Sequence, residues 1–240
     1  MNPSLRVHQL AEALDVSTET VRRDLAELGE SGKINRTYGG AVRMQKFEPA
    51  LSERLLLKVQ EREAIARMAV ERLGNFDALL IGGGATTLHF ARAIRKLEHP
   101  MTVITPAYGV AQELSHNPYL EVLCLPGIFH GKEGLVCGPE AIKAIERFHV
   151  PVAVLGASGV SREGISEALL SAGQVYQAIM ANSDQVFILA DSSKFNKRAL
   201  TLLSSWKSNI TLITERPPTD ELQSAISESG ASVAIAVLES

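Results

Sequence analysis

Seven short apolar segments constrain the fold of this chain more than any other feature of its sequence. They are Phe76–Ile81, Met101–Thr105, Leu120–Leu125, Pro151–Leu155, Gln185–Leu189, Ile210–Ile213 and Ser232–Val237. Strands buried on both faces read as continuous apolar runs, whereas a strand with one wet face alternates. Between these segments lie stretches with helical character, including Glu63–Leu73, a helix from Thr86 and another near Val110–Leu114. Repeated β and α segments with apolar strands predict an α/β fold, a mainly parallel sheet covered by helices. In such sheets ligands bind beyond the carboxyl ends of the strands. The loops that follow the strands are therefore the places to look for a site.

The first of these loops is Gly82-Gly83-Gly84-Ala85-Thr86-Thr87, after an apolar strand and at a helix start. Glycines let a backbone approach a ligand closely. A helix N-terminus offers free N–H groups and a positive dipole end, and threonine hydroxyls add donors. Gly83, Gly84, Ala85, Thr86 and Thr87 are accordingly candidates for binding an anion. No Gly-Lys-Ser/Thr follows, so this is not a Walker loop, and the spacing is not a dinucleotide fingerprint. The bland alternative is a tight βα turn with ordinary threonine caps. Later strand-end loops add Thr105 (before Pro106-Ala107), Gly127 (in Gly127-Ile128-Phe129-His130-Gly131), and Gly156 and Ser158 (in a loop leading to Glu163-Gly164). The loop Ala190–Phe195 adds Asp191 and Lys194. Lys194 is the cation suited to a phosphate or carboxylate. Asp191 suits a sugar hydroxyl, or orients Lys194; a plain loop ion pair between the two is the competing reading.

The first forty-six residues follow a different pattern. Val7, Leu10, Ala11 and Leu14 share one face of a short helix. Asp15-Val16 breaks it, Ser17 is a good N-cap, and Glu19 complements the dipole of a second helix. Val21, Leu25 and Leu28 form that helix's apolar face, which ends near Gly29. Two short helices and a tight turn make a helix-turn-helix. Ser17, Thr18, Thr20, Arg22 and Arg23 lie where a recognition helix meets bases and phosphates. Beyond it, Ile34 and Thr37-Tyr38 have strand propensity and Gly39-Gly40 permits a turn, which predicts a β-wing carrying Lys33, Arg36 and Tyr38. The net charge of −3 conceals the acid-free stretch Lys33–Lys46, with four cations; only Lys194–Lys207 is as one-sided over that length. Phosphate contacts need such a patch. The chain is thus divided into a DNA reader (1–46), a linker (47–62) and an effector-binding domain (63–240).

The remaining features exclude other classes. No apolar run approaches the ~20 residues of a membrane span, and the N-terminus lacks the layout of a signal peptide. Cys124 and Cys137 form no CxxC, which fits a reducing cytoplasm, and the six histidines show no metal-ligand spacing. No cofactor or metal is expected.

The run VHQLAEALDVSTETVRRDLAEL, followed by GKINRTYGGAV, resembles the N-terminal signature of the DeoR family of bacterial sugar-catabolism regulators. LLIGGGATT, LGASGV, EGIS and ILADSSKFNKRAL resemble that family's effector-domain motifs, so the resemblance covers nearly the whole chain. It implies that Ser17–Leu28 binds operator DNA, and that the second domain is related to ribose-phosphate isomerases and CoA transferases and takes a phosphosugar-type effector. Three positions depart from the pattern: Gly82 stands where relatives often carry an acidic residue, and Pro106-Ala107 replaces Asn-Ser. Sugar-acid phosphates therefore join phosphosugars as expected effectors. Members also carry a helix before this point, and only Met1–Arg6 precede Val7, so the winged helix-turn-helix is expected without its first helix. The expected function is a transcriptional regulator, a repressor of a carbohydrate or sugar-acid operon, acting as a homo-oligomer on double-stranded operator DNA. The alternative is a sugar-phosphate isomerase or transferase on the same fold. That chemistry needs a positioned base, for which only Glu163, Glu167 and Asp191 are available in these loops.

Overall fold

The computed structural model describes residues 4–30, 34–37, 40–43 and 49–238. The chain divides into two compact units, Met1–Pro49 and Ala50–Ser240. In the first, strand β1 (Ser4–Arg6) precedes helices α1 (Val7–Leu14) and α2 (Thr18–Glu30), followed by strands β2 (Ile34–Thr37) and β3 (Gly40–Arg43). Asp15, at φ +53°, makes the turn between the helices. Ser17 caps α2 as its position predicts, its hydroxyl accepting from the Thr20 N–H at 3.0 Å. β2 and β3 pair antiparallel from Ile34↔Arg43 to Thr37↔Gly40, which is the expected wing. Strand β1, which was not expected, pairs with the other edge of β3. Among the described residues a strand, not a helix, therefore precedes α1. Ala11 and Val21 are buried between the helices, but Leu14, on the predicted apolar face, is 63% exposed. Lys33, Tyr38, Gly39 and Lys46 lie outside the described residues.

The second unit begins with helices α3 (Leu51–Arg54) and α4 (Val59–Glu71). Residues 50–62, expected to be linker, are thus largely helical and belong to this unit. Then come β4 (Ala78–Ile81), α5 (Ala85–Ile94), β5 (Met101–Thr105), α6 (Tyr108–Leu114), β6 (Leu120–Cys124), β7 (Ile128–His130), β8 (Leu135–Cys137), α7 (Pro139–Ile145) and β9 (Val150–Gly156). The chain continues through β10 (Gly159–Ser161), β11 (Gly164–Glu167), α8 (Leu170–Ala181), β12 (Ser183–Leu189), β13 (Thr201–Ser204), β14 (Ile210–Thr214), α9 (Asp220–Glu228) and β15 (Ser232–Ile235).

All seven predicted strands join one parallel sheet in the order β15-β14-β12-β9-β4-β5-β6. Its centre is dry: Leu79, Leu80, Ile81, Val152, Val154 and Leu155 have no exposed surface. Each buried aliphatic side chain contributes about 1.5–3 kcal/mol. From β4 the chain steps to β5 and β6 on one side, then returns to β9, β12, β14 and β15 on the other. The winding direction reverses between β4 and β9, and there a crevice opens at the carboxyl ends of the strands. Two small antiparallel additions flank that end, the hairpin β7–β8 and the sheet β10-β11-β13. Among the described residues no helix is long and apolar enough to cross a membrane.

Candidate functional site

The loop after β4 lies at the point of reversal. The Gly82 N–H donates to Val154 O at 2.9 Å, tying the loop to β9. A Cβ on Gly82 would fall 2.6 Å from Leu155 Cδ2, and one on Gly83 would fall 2.8 Å from Leu135 Cδ2. A side chain at either position would require a neighbouring leucine side chain to shift. Gly84 is required by its backbone, which turns into α5 at φ +125°. The Tyr176 hydroxyl holds Gly83 from both sides, accepting from its N–H at 3.2 Å and donating to its carbonyl at 3.1 Å. Burial pushes the Tyr176 phenol well above its ordinary range, so it keeps the proton that this donation needs. The fully buried Thr87 donates to Gly84 O at 3.0 Å. Thr105, also buried, donates to Ile81 O at 2.7 Å and accepts from the Ala107 N–H. Both hydroxyls are thus engaged in the scaffold. Among the described residues the N–H groups of Gly84, Ala85, Thr86 and Thr87 have no partner. They present the positive end of a ten-residue helix to the crevice.

Facing this turn, a Cβ on Gly156 would lie 3.7 Å from Gly83 O, so the β9 loop runs alongside. Ser158, half-buried, donates to Glu167 at 3.1 Å, and Glu167 in turn accepts from the Ala168 and Leu169 N–H groups at the start of α8. Lys194, half-buried, lies on a short 3-10 turn, Ser192–Lys194, beyond β12. Asp191 is 1% exposed. It accepts from the Ser193 N–H and pairs with Arg62 at 3.7 Å, which makes it a buried anchor of its loop. Gly127 follows the edge strand β6 and packs against the β7–β8 hairpin, where a Cβ on it would lie 2.6 Å from the Cys137 carbonyl oxygen. The structure brings together Gly83–Thr87, Thr105, Gly156 and Ser158 on neighbouring strands, with Lys194 one strand further.

The three carboxylates weighed as catalytic bases all have other employment. Asp191 and Glu167 are engaged as above. Glu163 is exposed, and hydrogen bonds from Ser161 and its own backbone, with Arg162 alongside, hold its carboxyl below the usual range.

Sequence reasoning missed Tyr176, Arg62 and the β7–β8 hairpin. Tyr176 shares a buried stripe of α8 with Ala172, Val175 and Ile179, and a buried phenol needs a partner. Arg62, 4% exposed, falls in the stripe of Ala66, Ala69 and Leu73. A charge on an apolar stripe is a signal that a buried anion awaits it. The hairpin left a weaker trace. It folds back over the ends of β4 and β5, where the Val136 N–H donates to Pro106 O at 2.8 Å and the Tyr108 N–H donates to Gly134 O at 2.9 Å.

In the first unit Ser17, Thr18, Arg22 and Arg23 are exposed at the start of α2, and Thr20 is half-buried. Arg22 reaches Glu19 at 3.4 Å and Arg23 reaches Asp24 at 3.9 Å. Both are open surface pairs that a competing phosphate can displace. Arg36 lies on β2.

Comparison with known proteins bears on both units. Residues 2–47 match the family model described as a DeoR-like helix-turn-helix domain, and residues 57–216 match that of the DeoR C-terminal sensor domain. The HTH-type transcriptional regulator YulB of Bacillus subtilis (strain 168) is 32% identical over 218 residues, covering 90% of this chain and 84% of that protein. The HTH-type transcriptional repressor CsqR of Escherichia coli (strain K12) is 29% identical over 227 residues, 94% and 87% of the two chains. The glycerol-3-phosphate regulon repressor of Escherichia coli (strain K12) is 29% identical over 213 residues, 88% and 84%. With a DNA reader and a sensor domain matched in one chain, this protein is a DNA-binding regulator: it belongs to the DeoR family of helix-turn-helix transcriptional regulators.

Proposed function

We propose that this regulator represses a carbohydrate or sugar-acid catabolic operon in the cytoplasm, and that a phosphorylated small molecule relieves or tunes the repression from the crevice between β4 and β9. One observation carries the ligand class: four unpartnered N–H groups, from Gly84 to Thr87, at the N-terminus of α5 and at the point where the sheet reverses. Such an array takes an anion, and the dipole adds to it. Lys194 supplies the opposing charge. Gly156 and Ser158 line the β9 side, while Thr87, Thr105 and Asp191 act through the scaffold. CsqR and the glycerol-3-phosphate regulon repressor, both named as repressors, support the sign of regulation.

Ser17, Thr18, Thr20, Arg22 and Arg23, with Lys33, Arg36 and Tyr38, form the proposed DNA surface. One recognition helix covers too few base pairs for strong specificity, so two chains on neighbouring half-sites, a homo-oligomer, complete the reader. The effector class is tested by calorimetric titration with sugar phosphates, sugar-acid phosphates and their unphosphorylated parents. Charge-assisted hydrogen bonds contribute roughly 1.5–3 kcal/mol each, so the parents should bind at least tenfold more weakly. Lys194→Ala should weaken binding of the phosphorylated ligand. Equal affinity with and without phosphate would show that the turn is only a structural cap.

A further inference from the structure

The segment that joins the DNA reader to the sensor domain is fastened to both loops bordering the proposed effector crevice. At its start the Leu51 N–H donates to Lys132 O at 3.2 Å, and Arg54 forms an ion pair with Glu133. Both partners belong to the turn of the β7–β8 hairpin, the element whose Leu135 covers Gly83. At its end Arg62, buried on α4, donates to the carbonyls of Arg54 and Leu57 and pairs with Asp191 at 3.7 Å. Arg62 therefore closes the last turn of α3 and ties it to the loop that carries Lys194. Between the two anchors the chain passes Lys58, a non-glycine residue in the left-handed region at φ +56°. Leu56 and Leu57 remain 82% and 51% exposed. Charged contacts hold this stretch at both ends, and Leu55 packs partly against the core between them.

We infer that residues 50–62 are a latch: Arg54–Glu133 and Arg62–Asp191 couple the state of the two crevice loops to the position of the chain that leads into the DNA reader. The anchors lie on opposite sides of the β4/β9 reversal. One is on the hairpin packed over β4 and β5, the other beyond β12. A ligand that draws the hairpin and the Lys194 loop together changes the span the latch must bridge. A ligand can shift an equilibrium only through contacts that differ between two states, and the inference assigns that role to these two ion pairs. The inference rests on the proposed effector site only for what moves the loops.

Its test uses no effector. The full chain selects a duplex from a random pool, and that duplex is the DNA probe. In Glu133→Arg, hydrogen exchange at amides 51–57 should accelerate about tenfold while that of α5 stays as in wild type, and affinity for the selected duplex should change about fivefold or more. Glu133→Gln, a gentler substitution that keeps the side chain's shape, should act in the same direction. The charge-swapped pair Arg54→Glu with Glu133→Arg should bring both readouts back toward wild type. Unchanged exchange would show that the ion pair does not hold the segment. Faster exchange with DNA affinity within about twofold of wild type would show that the latch is not coupled to the reader. A failed titration with phosphorylated ligands would leave these results standing, and an inert latch would leave that titration standing.

Discussion

At the scale of single residues, the sensor domain depends on polar groups buried with few partners. Tyr176 is the clearest case, because one hydroxyl satisfies both the N–H and the carbonyl of Gly83. Tyr176→Phe strands a buried amide, which costs about 1–3 kcal/mol. Urea denaturation should show that loss with the slope unchanged, and a midpoint equal to wild type would show that water replaces the hydroxyl. His89 is another such group. It is buried on α5, its Nε2 has no hydrogen-bond partner among the described residues, and burial pushes its pKa below the ordinary 6.5. The unfolded chain then takes up a proton near pH 6.5 that the folded chain refuses. Its contribution to stability is present above that pH and is lost as the pH falls toward the depressed folded value. The urea midpoint of wild type should drop between about pH 7.5 and about pH 5.5, and His89→Gln should remove part of that drop. A pH dependence unaltered by the substitution would assign it to other groups.

At the scale of elements, local signals were reliable wherever an element makes its own contacts. Ser17 was legible as an N-cap because the cap bond closes within three residues, and the structure forms it. Ser17→Ala should cost about 1 kcal/mol of stability in the first unit and speed hydrogen exchange over the first turn of α2. Unaltered exchange there would mean that Thr20 or water takes over the cap. The strands of the parallel sheet were legible for a related reason, since burial on both faces leaves an uninterrupted apolar run. The short antiparallel pieces were not. Strand β7, for instance, is three residues long and carries exposed Ile128 and Phe129. It is held by pairing to β8 and by the hairpin's return over β5, neither of which leaves a periodic trace.

At the scale of the whole chain, recognition is divided between two units with different charge economies. The net charge of −3 gives no hint of DNA binding, and the reader concentrates its cations locally. Arg22→Ala or Arg23→Ala should weaken binding to the selected duplex by about 1–3 kcal/mol if the side chain reads a base. Lys33→Ala should weaken all duplexes alike and flatten the salt dependence by about one unit of slope. Wild-type affinity in all three variants would remove this surface from consideration.

The order of apolar and turn segments was enough to determine the α/β class, all seven strands of the sheet and the helix-turn-helix with its wing. Those features follow from patterns a few residues long and from burial that every strand shares. The Gly83–Thr87 turn was legible in the same way, as glycines after a strand and threonines at a helix start. Only the tertiary structure decided which loops share one crevice, because strand order depends on where each crossover lands. It places Gly127 after the edge strand β6, against Cys137 of the β7–β8 hairpin, and Lys194 after β12 on the other side of β4. It also pairs the buried Asp191 with Arg62 and groups residues 50–62 with the sensor domain. Those outcomes rest on pairs 79 and 129 residues apart in the chain, Arg54–Glu133 and Arg62–Asp191. No local pattern records such pairs, because the energy that selects them exists only once the sheet has brought them together.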